Sequence, residues 1–302
     1  MGEKQKVIVV VGPTASGKSA LAVELAQRFN GEVISADSRQ VYKGLDIGSG
    51  KITKREMKGI PHHLLDVANP KKTFTAHDFK IHATRTAVQI VCRDKLPIIC
   101  GGTGFYIDVL LGRINLPDVP ADRRLRARLE KKSVTELFVM LKKLDPARAK
   151  KIDSVNKVRL VRAIEIAKAL PHIKPNVSLR TPKFDVLWIG LRPDKNTMRK
   201  KINARLLARI RQGMMHEAQK LHAGGLSWKR MESLGLEYRY LALHLQKKLS
   251  KDEMLKQLET KIWQYAKRQL TYWKRNKDIH WFDPRDTNTI VREVEKFLYY
   301  FE

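Results

Sequence analysis

Residues 12–19 read Gly-Pro-Thr-Ala-Ser-Gly-Lys-Ser and carry the pattern G-x-x-x-x-G-K-[ST]. They follow the apolar run Val7–Val11 and precede the apolar segment Ala20–Ala26, which predicts a buried strand, a glycine loop and a helix. Such a loop points backbone N–H groups at an anion, and the helix adds the positive end of its dipole. We therefore predict a site for a di- or triphosphate, formed by Gly12, Pro13, Thr14, Ala15, Ser16, Gly17, Lys18 and Ser19.

The loop by itself does not identify the phosphate compound. Lys18 supplies a mobile positive charge for the outer phosphate, and Ser19 offers a hydroxyl group to Mg²⁺. These roles fit a P-loop kinase or NTPase that acts on a small phosphate acceptor, so that function stands as the alternative throughout.

The charge of the chain points to a large polyanionic partner. The chain has 60 Lys and Arg residues and only 31 Asp and Glu residues, which gives a net charge of +29. A kinase of small molecules does not need this excess, whereas a protein that binds a row of phosphates does. General basicity of the proteome is the other explanation. No apolar run approaches the roughly 20 residues that span a bilayer, so we expect no membrane partner.

Two further strand ends carry polar residues that we expect beside the phosphate loop. The strand Val33–Ser35 leads into Asp37, Ser38, Arg39 and Gln40, and the strand Pro97–Cys100 leads into a Gly-Gly-Thr-Gly turn that contains Thr103. Ligands of open α/β sheets bind at the carboxyl ends of the strands. Asp37 is thus a candidate functional carboxylate, with a helix N-cap as the alternative.

The pattern predicts an α/β fold, a P-loop NTPase-like parallel sheet flanked by helices, with an all-helical insertion domain. The core comprises residues 1–116 and 184–302, and the insertion comprises residues 117–183. The insertion bears Arg126, Arg159 and Arg162, which either grip a polyanion or form a solvated helix face. In the core, we predict long helices over Met231–Leu245 and Asp252–Asn276.

The last of these helices interleaves aromatic and basic residues. Tyr265 and Trp263 stand beside Lys267, Arg268 and Gln269, a composition that suits stacked bases and phosphates. An amphipathic helix with an aromatic core face is the alternative. Elsewhere, the two cysteines, Cys92 and Cys100, are predicted to be buried thiols, and the chain is expected to be cytoplasmic and monomeric.

Several segments occur together in an order that resembles the tRNA dimethylallyltransferase family, the isopentenyl-tRNA transferases of bacterial type. The phosphate loop is followed by the pattern D-S-x-x-x-Y-x-G-x-D-I-G, which is specific to the family. The resemblance covers nearly the whole chain and rests on residues 12–19, 35–48, 61–66, 101–106, 125–128, 159–165 and 266–271.

The resemblance implies transfer of a dimethylallyl group from dimethylallyl diphosphate to N6 of adenosine 37 in tRNA, with Mg²⁺ as the cofactor. It implies that Asp37 accepts the proton of the adenine amine and that Thr103 is the second catalytic residue. It also implies that Arg239 joins the phosphate loop in binding the diphosphate. Glu237 departs from the pattern, because the family has glycine there. The residues expected to contact the anticodon stem-loop are Asp37, Ser38, Arg39, Gln40, Thr103, Arg126, Arg159, Arg162, Lys267, Arg268 and Gln269.

A third hypothesis is a non-catalytic RNA-binding protein that kept the nucleotide-loop fold. The intact Lys18, Ser19 and Asp37 argue against it, because binding RNA does not require them together. We therefore predict a tRNA prenyltransferase.

Overall fold

The computed structural model describes residues 5–117, 119–169 and 184–299. The chain divides into two compact units, each considered by itself. Unit 1 comprises Met1–Ile114 and Pro182–Glu302, and unit 2 comprises Asn115–Thr181. Within the described ranges, none of the helices combines the length and the apolar composition needed to cross a bilayer.

A parallel six-stranded sheet forms the centre of unit 1, which confirms the predicted fold class. Its order is β3-β2-β4-β1-β5-β6, so the strand before the phosphate loop lies in the interior. The two-residue edge strand was not predicted, because two histidines carry no strand pattern. The strands are β1 (Gln5–Val11), β2 (Gly31–Ser35), β3 (His62–His63), β4 (Leu96–Gly101), β5 (Phe184–Leu191) and β6 (Ile279–Phe282).

Helices cover both faces of this sheet. Successive residues of β1 point to opposite faces, so Val9 packs in a core with Phe79, whereas Val10 packs in another core with Leu25 and Ile290. The helices that precede unit 2 in the chain are α1 (Lys18–Arg28), α2 (Lys54–Met57), α3 (Ala76–Val91) and α4 (Gly104–Leu110).

A separate helical core lies in the C-terminal part of unit 1 and includes Leu206, Met231, Leu241, Leu258 and Ala266. The expected single helix over Met231–Leu245 is wrong. One helix ends at Glu232, and Gly235, with φ +129°, directly precedes the next helix, which begins at Leu236. The helices after unit 2 are α9 (Lys195–Arg211), α10 (Met214–Ala223), α11 (Trp228–Glu232), α12 (Leu236–Leu245), α13 (Lys251–Trp273) and α14 (Thr287–Tyr299).

The prediction for the cysteines is half correct. Cys100 is buried in β4, and burial raises the pKa of its thiol to about 11. Cys92 is exposed just beyond the last residue of α3, on the side of the helix that carries the exposed Val88 four residues earlier.

Unit 2 is helical throughout its described part. A core of leucine, alanine and isoleucine side chains, including Leu137, Leu141, Leu160 and Ile164, holds it together. Its helices are α5 (Arg123–Glu130), α6 (Val134–Leu144), α7 (Pro146–Ala149) and α8 (Lys157–Ala169).

Candidate active site

A cavity of about 410 Å³ opens in unit 1 at the carboxyl ends of the strands. Among the described residues, six cationic and two anionic side chains line it, so it favours an anion. The predicted site residues that line it are Thr14, Lys18, Ser19, Asp37, Ser38, Arg39, Gln40, Thr103, Arg239, Arg268 and Gln269.

The phosphate loop adopts the backbone conformation that its glycines permit. Gly17 has φ +94° directly before α1, and Ala15 also has a positive φ of 63°. The Lys18 Nζ donates to the carbonyl oxygen of Pro13 at 3.3 Å. Ser16 is buried, and its hydroxyl has no hydrogen-bond partner within the described ranges. Gly12, Pro13, Ala15, Ser16 and Gly17 shape the loop and are not cavity-lining residues.

The electrostatics around Lys18 favour an incoming anion. Burial lowers the pKa of the Lys18 ammonium group, while Cys100 and the Asp37 carboxylate act in the opposite direction. Arg205 and Arg209 lower this pKa further, because they bring more positive charge to the same cavity. A bound anion would offset both effects, because its negative charge stabilises the charged ammonium group.

Asp37 follows β2 and caps its own turn with one oxygen. Its Oδ1 accepts from the backbone N–H of Arg39 at 2.8 Å and from that of Gln40 at 3.4 Å. The helix N-cap alternative is wrong, because the residues after Asp37 form a turn and not a helix; Oδ1 caps that turn. Within the described ranges, no side chain forms an ion pair with Asp37, although it is only partly exposed. Its Oδ2 remains available to a ligand in the cavity.

Thr103 is brought next to this turn by the glycine-rich segment after β4. Its Oγ1 accepts from the backbone N–H of Ser38 at 3.0 Å and lies 3.3 Å from the Ser38 hydroxyl. Gly101 permits the approach, because a Cβ there would overlap the backbone carbonyl group of Ala36. The tips of β2 and β4 are thereby locked together.

Gln269 of α13 connects the two loops and is buried. Its Oε1 accepts from the backbone N–H of Thr14 at 2.8 Å, and its Nε2 donates to the carbonyl oxygen of Gly102 at 3.0 Å. A Cβ at Gly102 would overlap the amide. Both polar atoms of the Gln269 amide thus form hydrogen bonds within the protein, so Gln269 connects the phosphate loop to the turn after β4.

The cationic residues of the predicted site differ in placement. Arg39 donates to the carbonyl oxygen of Ser233 at 3.3 Å, and the exposed Arg239 donates to that of Glu232 at 3.1 Å. Arg268 lies 6.0 Å from the ring centroid of Tyr265 and lines the cavity. Lys267 is exposed and lies 5.8 Å from the Trp263 ring, outside the cavity.

Three charged residues that line the cavity were not predicted as site residues: Arg205, Arg209 and Glu237, the last of which was noted only as a departure from the family pattern. An Arg209 nitrogen lies 3.3 Å from Glu237 Oε1. Burial raises the pKa of Glu237, and the Arg209 charge opposes that rise. The Lys/Arg-rich pattern of α9 was visible in the sequence, but which of its cations face the cavity was not.

Two of the three candidate arginines of unit 2 pair with a buried carboxylate. Arg126 donates to both Glu165 oxygens, at 2.9 and 2.7 Å, and Arg162 also forms an ion pair with Glu165. Burial alone would raise the pKa of Glu165, but these hydrogen bonds lower it. Arg159 is exposed on the same helix as Arg162. The Glu165 cluster stabilises unit 2, and the spacing of the arginines gave no sign of it.

Comparisons with known proteins agree over most of the chain. The family model described as IPP transferase matches residues 40–276. A tRNA dimethylallyltransferase 2 from Treponema denticola is 43% identical over 279 residues, which cover 91% of this chain and 93% of that protein. A tRNA dimethylallyltransferase from Anoxybacillus flavithermus is 38% identical over 306 residues, 100% of this chain and 97% of the other.

Solved structures extend the agreement to the fold. The full-length tRNA isopentenylpyrophosphate transferase from Bacillus halodurans is 36% identical with a TM-score of 0.73, over 98% of this chain and 96% of that one. A eukaryotic dimethylallyltransferase acting on tRNA is 26% identical with a TM-score of 0.80, over 98% of this chain and 80% of that one. None of these matches supports the kinase alternative. The chain belongs to the tRNA dimethylallyltransferase family.

Proposed function

We propose that this protein transfers a dimethylallyl group from dimethylallyl diphosphate to N6 of adenosine 37 in tRNA and releases diphosphate. One observation carries the proposal: Asp37 lines the same cationic cavity as Lys18 and Ser19 of the phosphate loop. A carboxylate in that position suits a nucleophile that must lose a proton beside a diphosphate leaving group. Family membership supports the same reaction.

In the proposed step, the bond between N6 and C1 of the dimethylallyl group forms as the bond from C1 to the diphosphate oxygen breaks. The N6 proton passes to Asp37 Oδ2, because Oδ1 already accepts two backbone N–H groups. Thr103 holds the Ser38 backbone and so orients the turn that carries Asp37. The electron pair of the broken bond leaves with the diphosphate.

The diphosphate is proposed to bind the N–H groups of the phosphate loop, with Lys18 and Arg239 as charged partners. Arg205 and Arg209 add positive charge to the same cavity. A cluster of three metal-binding side chains is absent from the described part of the chain, so zinc-type coordination has no basis there. Ser19 fits Mg²⁺ instead, which takes few protein ligands and relies on phosphate oxygens and water. When bound, the ion would neutralise charge on the leaving group.

The tRNA side of the proposal rests on charge and on aromatic residues. The target base must leave its stack to reach a cavity of this size. Arg268 and Tyr265 line the cavity, whereas Lys267 is exposed next to Trp263 outside it. We assign Lys267, Arg268 and the exposed Arg159 to phosphate contacts with the anticodon stem-loop. We further propose that the protein acts as a monomer and in the cytoplasm.

A single transfer assay tests the reaction. Unmodified tRNA with adenosine at position 37 is mixed with protein, Mg²⁺ and labelled dimethylallyl diphosphate, and ATP replaces the donor in a parallel sample. Label in the tRNA that depends on adenosine 37, without ATP hydrolysis, supports the proposal. ATP turnover without labelled tRNA would overturn it.

A further inference from the structure

A carboxylate that does not line the cavity, Glu217 of α10, gathers four hydrogen-bond donors. Its Oε2 accepts from the backbone N–H groups of Asp46 at 3.0 Å and Ile47 at 2.7 Å. Its Oε1 accepts from the backbone N–H of Gly48 at 2.9 Å and from the Tyr238 hydroxyl at 2.7 Å. Hydrogen bonds to an ionised carboxylate are stronger than those between neutral groups. One side chain therefore anchors three successive residues that lie about 170 positions away in the sequence.

The anchored segment, residues 44–51, is a loop with a defined shape. Lys51 connects the end of the loop to its beginning, because its Nζ lies 2.5 Å from Asp46 Oδ1 and 3.0 Å from the Tyr42 carbonyl oxygen. Gly48 is pressed against the Tyr238 ring, where a Cβ would come within 2.7 Å of Cζ. The loop thus rests on Glu217 and Tyr238 and has little space in which to shift.

This loop reaches the proposed base through one further residue. Ser49 and Gly50 line the cavity. The Gly50 carbonyl oxygen accepts from the Gln40 side-chain amide at 3.2 Å, and the Gln40 backbone N–H donates to Asp37 Oδ1 at 3.4 Å. A continuous set of hydrogen bonds therefore runs from Glu217, through the loop, to the turn that orients Asp37.

We propose that Glu217 is a positioning residue for the transfer reaction. It fixes the loop 44–51 and, through Gly50 and Gln40, the orientation of the Asp37 carboxylate. This inference rests on the proposed function, because it needs Asp37 to act in the transfer step. It adds a role for a residue that touches neither diphosphate nor base. The phosphate loop is held separately, by Gln269, and so is expected to be unaffected by Glu217.

Glu217→Gln is the direct test, because it keeps the size of the side chain and turns one acceptor oxygen into an NH₂ donor. Three measurements are made: the single-turnover transfer rate at saturating substrates, the affinity for inorganic diphosphate, and hydrogen exchange of the backbone amides 46–48. We expect the rate to fall roughly 10- to 100-fold, as small misplacements of reacting groups do. Diphosphate affinity should stay within about twofold, and the loop amides should exchange faster.

Two further variants and a control separate positioning from loss of folding. Gly48→Ala disturbs the same contact from the loop, because its added methyl group would overlap Tyr238, and we expect the same split between rate and diphosphate affinity. Tyr238→Phe keeps the three backbone bonds to Glu217, so its rate should fall less than that of Glu217→Gln. Glu253→Gln replaces the exposed capping carboxylate of α13 and should match wild type in all three measurements.

The outcomes separate this inference from the proposed function. If wild type transfers label and Glu217→Gln transfers it equally fast, positioning by Glu217 is refuted and the proposed function stands. A parallel loss of rate and diphosphate affinity would also refute it, because that indicates general unfolding. If wild type transfers no label, the proposed function fails, and faster exchange of amides 46–48 would support only the anchoring of the loop.

Discussion

Replacing Gln269 with leucine tests whether this residue holds the site together or contacts RNA. The sequence placed Gln269 among the tRNA contacts, yet in the structure it is buried between the Thr14 N–H and the Gly102 carbonyl oxygen. Leucine is similar in volume and leaves both backbone groups without a partner. Each unsatisfied buried group costs roughly 1–3 kcal/mol, and Thr14 is only partly buried, so we expect Gln269→Leu to lower the free energy of unfolding by about 2–4 kcal/mol. At about 2 °C per kcal/mol for a chain of this size, Tm should fall by about 4–8 °C.

Thermal unfolding and tRNA binding at several salt concentrations form the assay. The matched control is Gln257→Leu, which alters an exposed glutamine on the same helix and should leave Tm within about 1 °C of wild type. Because no charge is removed, the dependence of tRNA affinity on salt should equal that of wild type. The inorganic diphosphate affinity should also fall, since the Thr14 end of the phosphate loop loses its partner.

One result would refute this reasoning. If Gln269→Leu keeps the wild-type Tm and diphosphate affinity but binds tRNA much more weakly, the amide is used by RNA and not by the two loops.

Four further predictions concern charged groups. Asp37→Asn keeps the Oδ1 acceptor and should slow single-turnover transfer roughly 10²- to 10⁴-fold with little change in tRNA affinity; weaker binding at an unchanged rate would count against the base. Lys267→Ala and Arg268→Ala should each reduce the salt dependence of tRNA binding by about one phosphate contact, and a slope equal to that of wild type would argue against the contact. Diphosphate affinity should decline as the pH rises through the pKa of Lys18, which lies below its usual 10.5, because the ammonium group then loses its charge. Lys18→Arg should show a flatter pH profile, because arginine stays charged, and equal declines in both proteins would contradict this prediction. Glu165→Gln should lower the free energy of unfolding by roughly 2–4 kcal/mol. The loss is smaller than for a fully buried ion pair, because Arg126 and Arg162 are partly exposed. The pKa of Glu165 is lowered in the folded state, so its contribution to stability is present above the usual carboxylate pKa of 4.5 and is lost as the pH falls through the folded-state pKa. Unfolding of wild type and Glu165→Gln by guanidinium chloride at pH 7 and at pH 4 measures the size of this contribution and its loss in acid.

Local patterns in the sequence were sufficient for the parts of the fold that neighbouring residues determine. The strand, loop and helix around residues 12–19 form as predicted, because apolar runs and glycine spacing act within a few residues. The strands predicted at Val33–Ser35 and Pro97–Cys100 also form, within Gly31–Ser35 and Leu96–Gly101, for the same reason. The break at Gly235 was missed, since the apolar periodicity continues on both sides of it.

The family pattern extended sequence reasoning to the site, and it brought Asp37, Thr103 and Lys18 into one proposal. The structure places all three on one cavity. The family pattern did not reveal that Oδ1 of Asp37 already accepts hydrogen bonds from its own turn, which leaves one oxygen for a substrate.

Other features depend on contacts between distant parts of the chain, and only the tertiary structure decided them. Glu217 meets Gly48, and Gln269 meets Thr14, across 169 and 255 positions of sequence. Whether a polar side chain binds a ligand or satisfies a buried backbone group depends on which groups the fold leaves without partners. The sequence by itself determined the phosphate loop and the kind of sheet that holds it. The fold determined which of the polar residues face the cavity and which hold its walls in place, because those distances exist only after the strands and helices have packed.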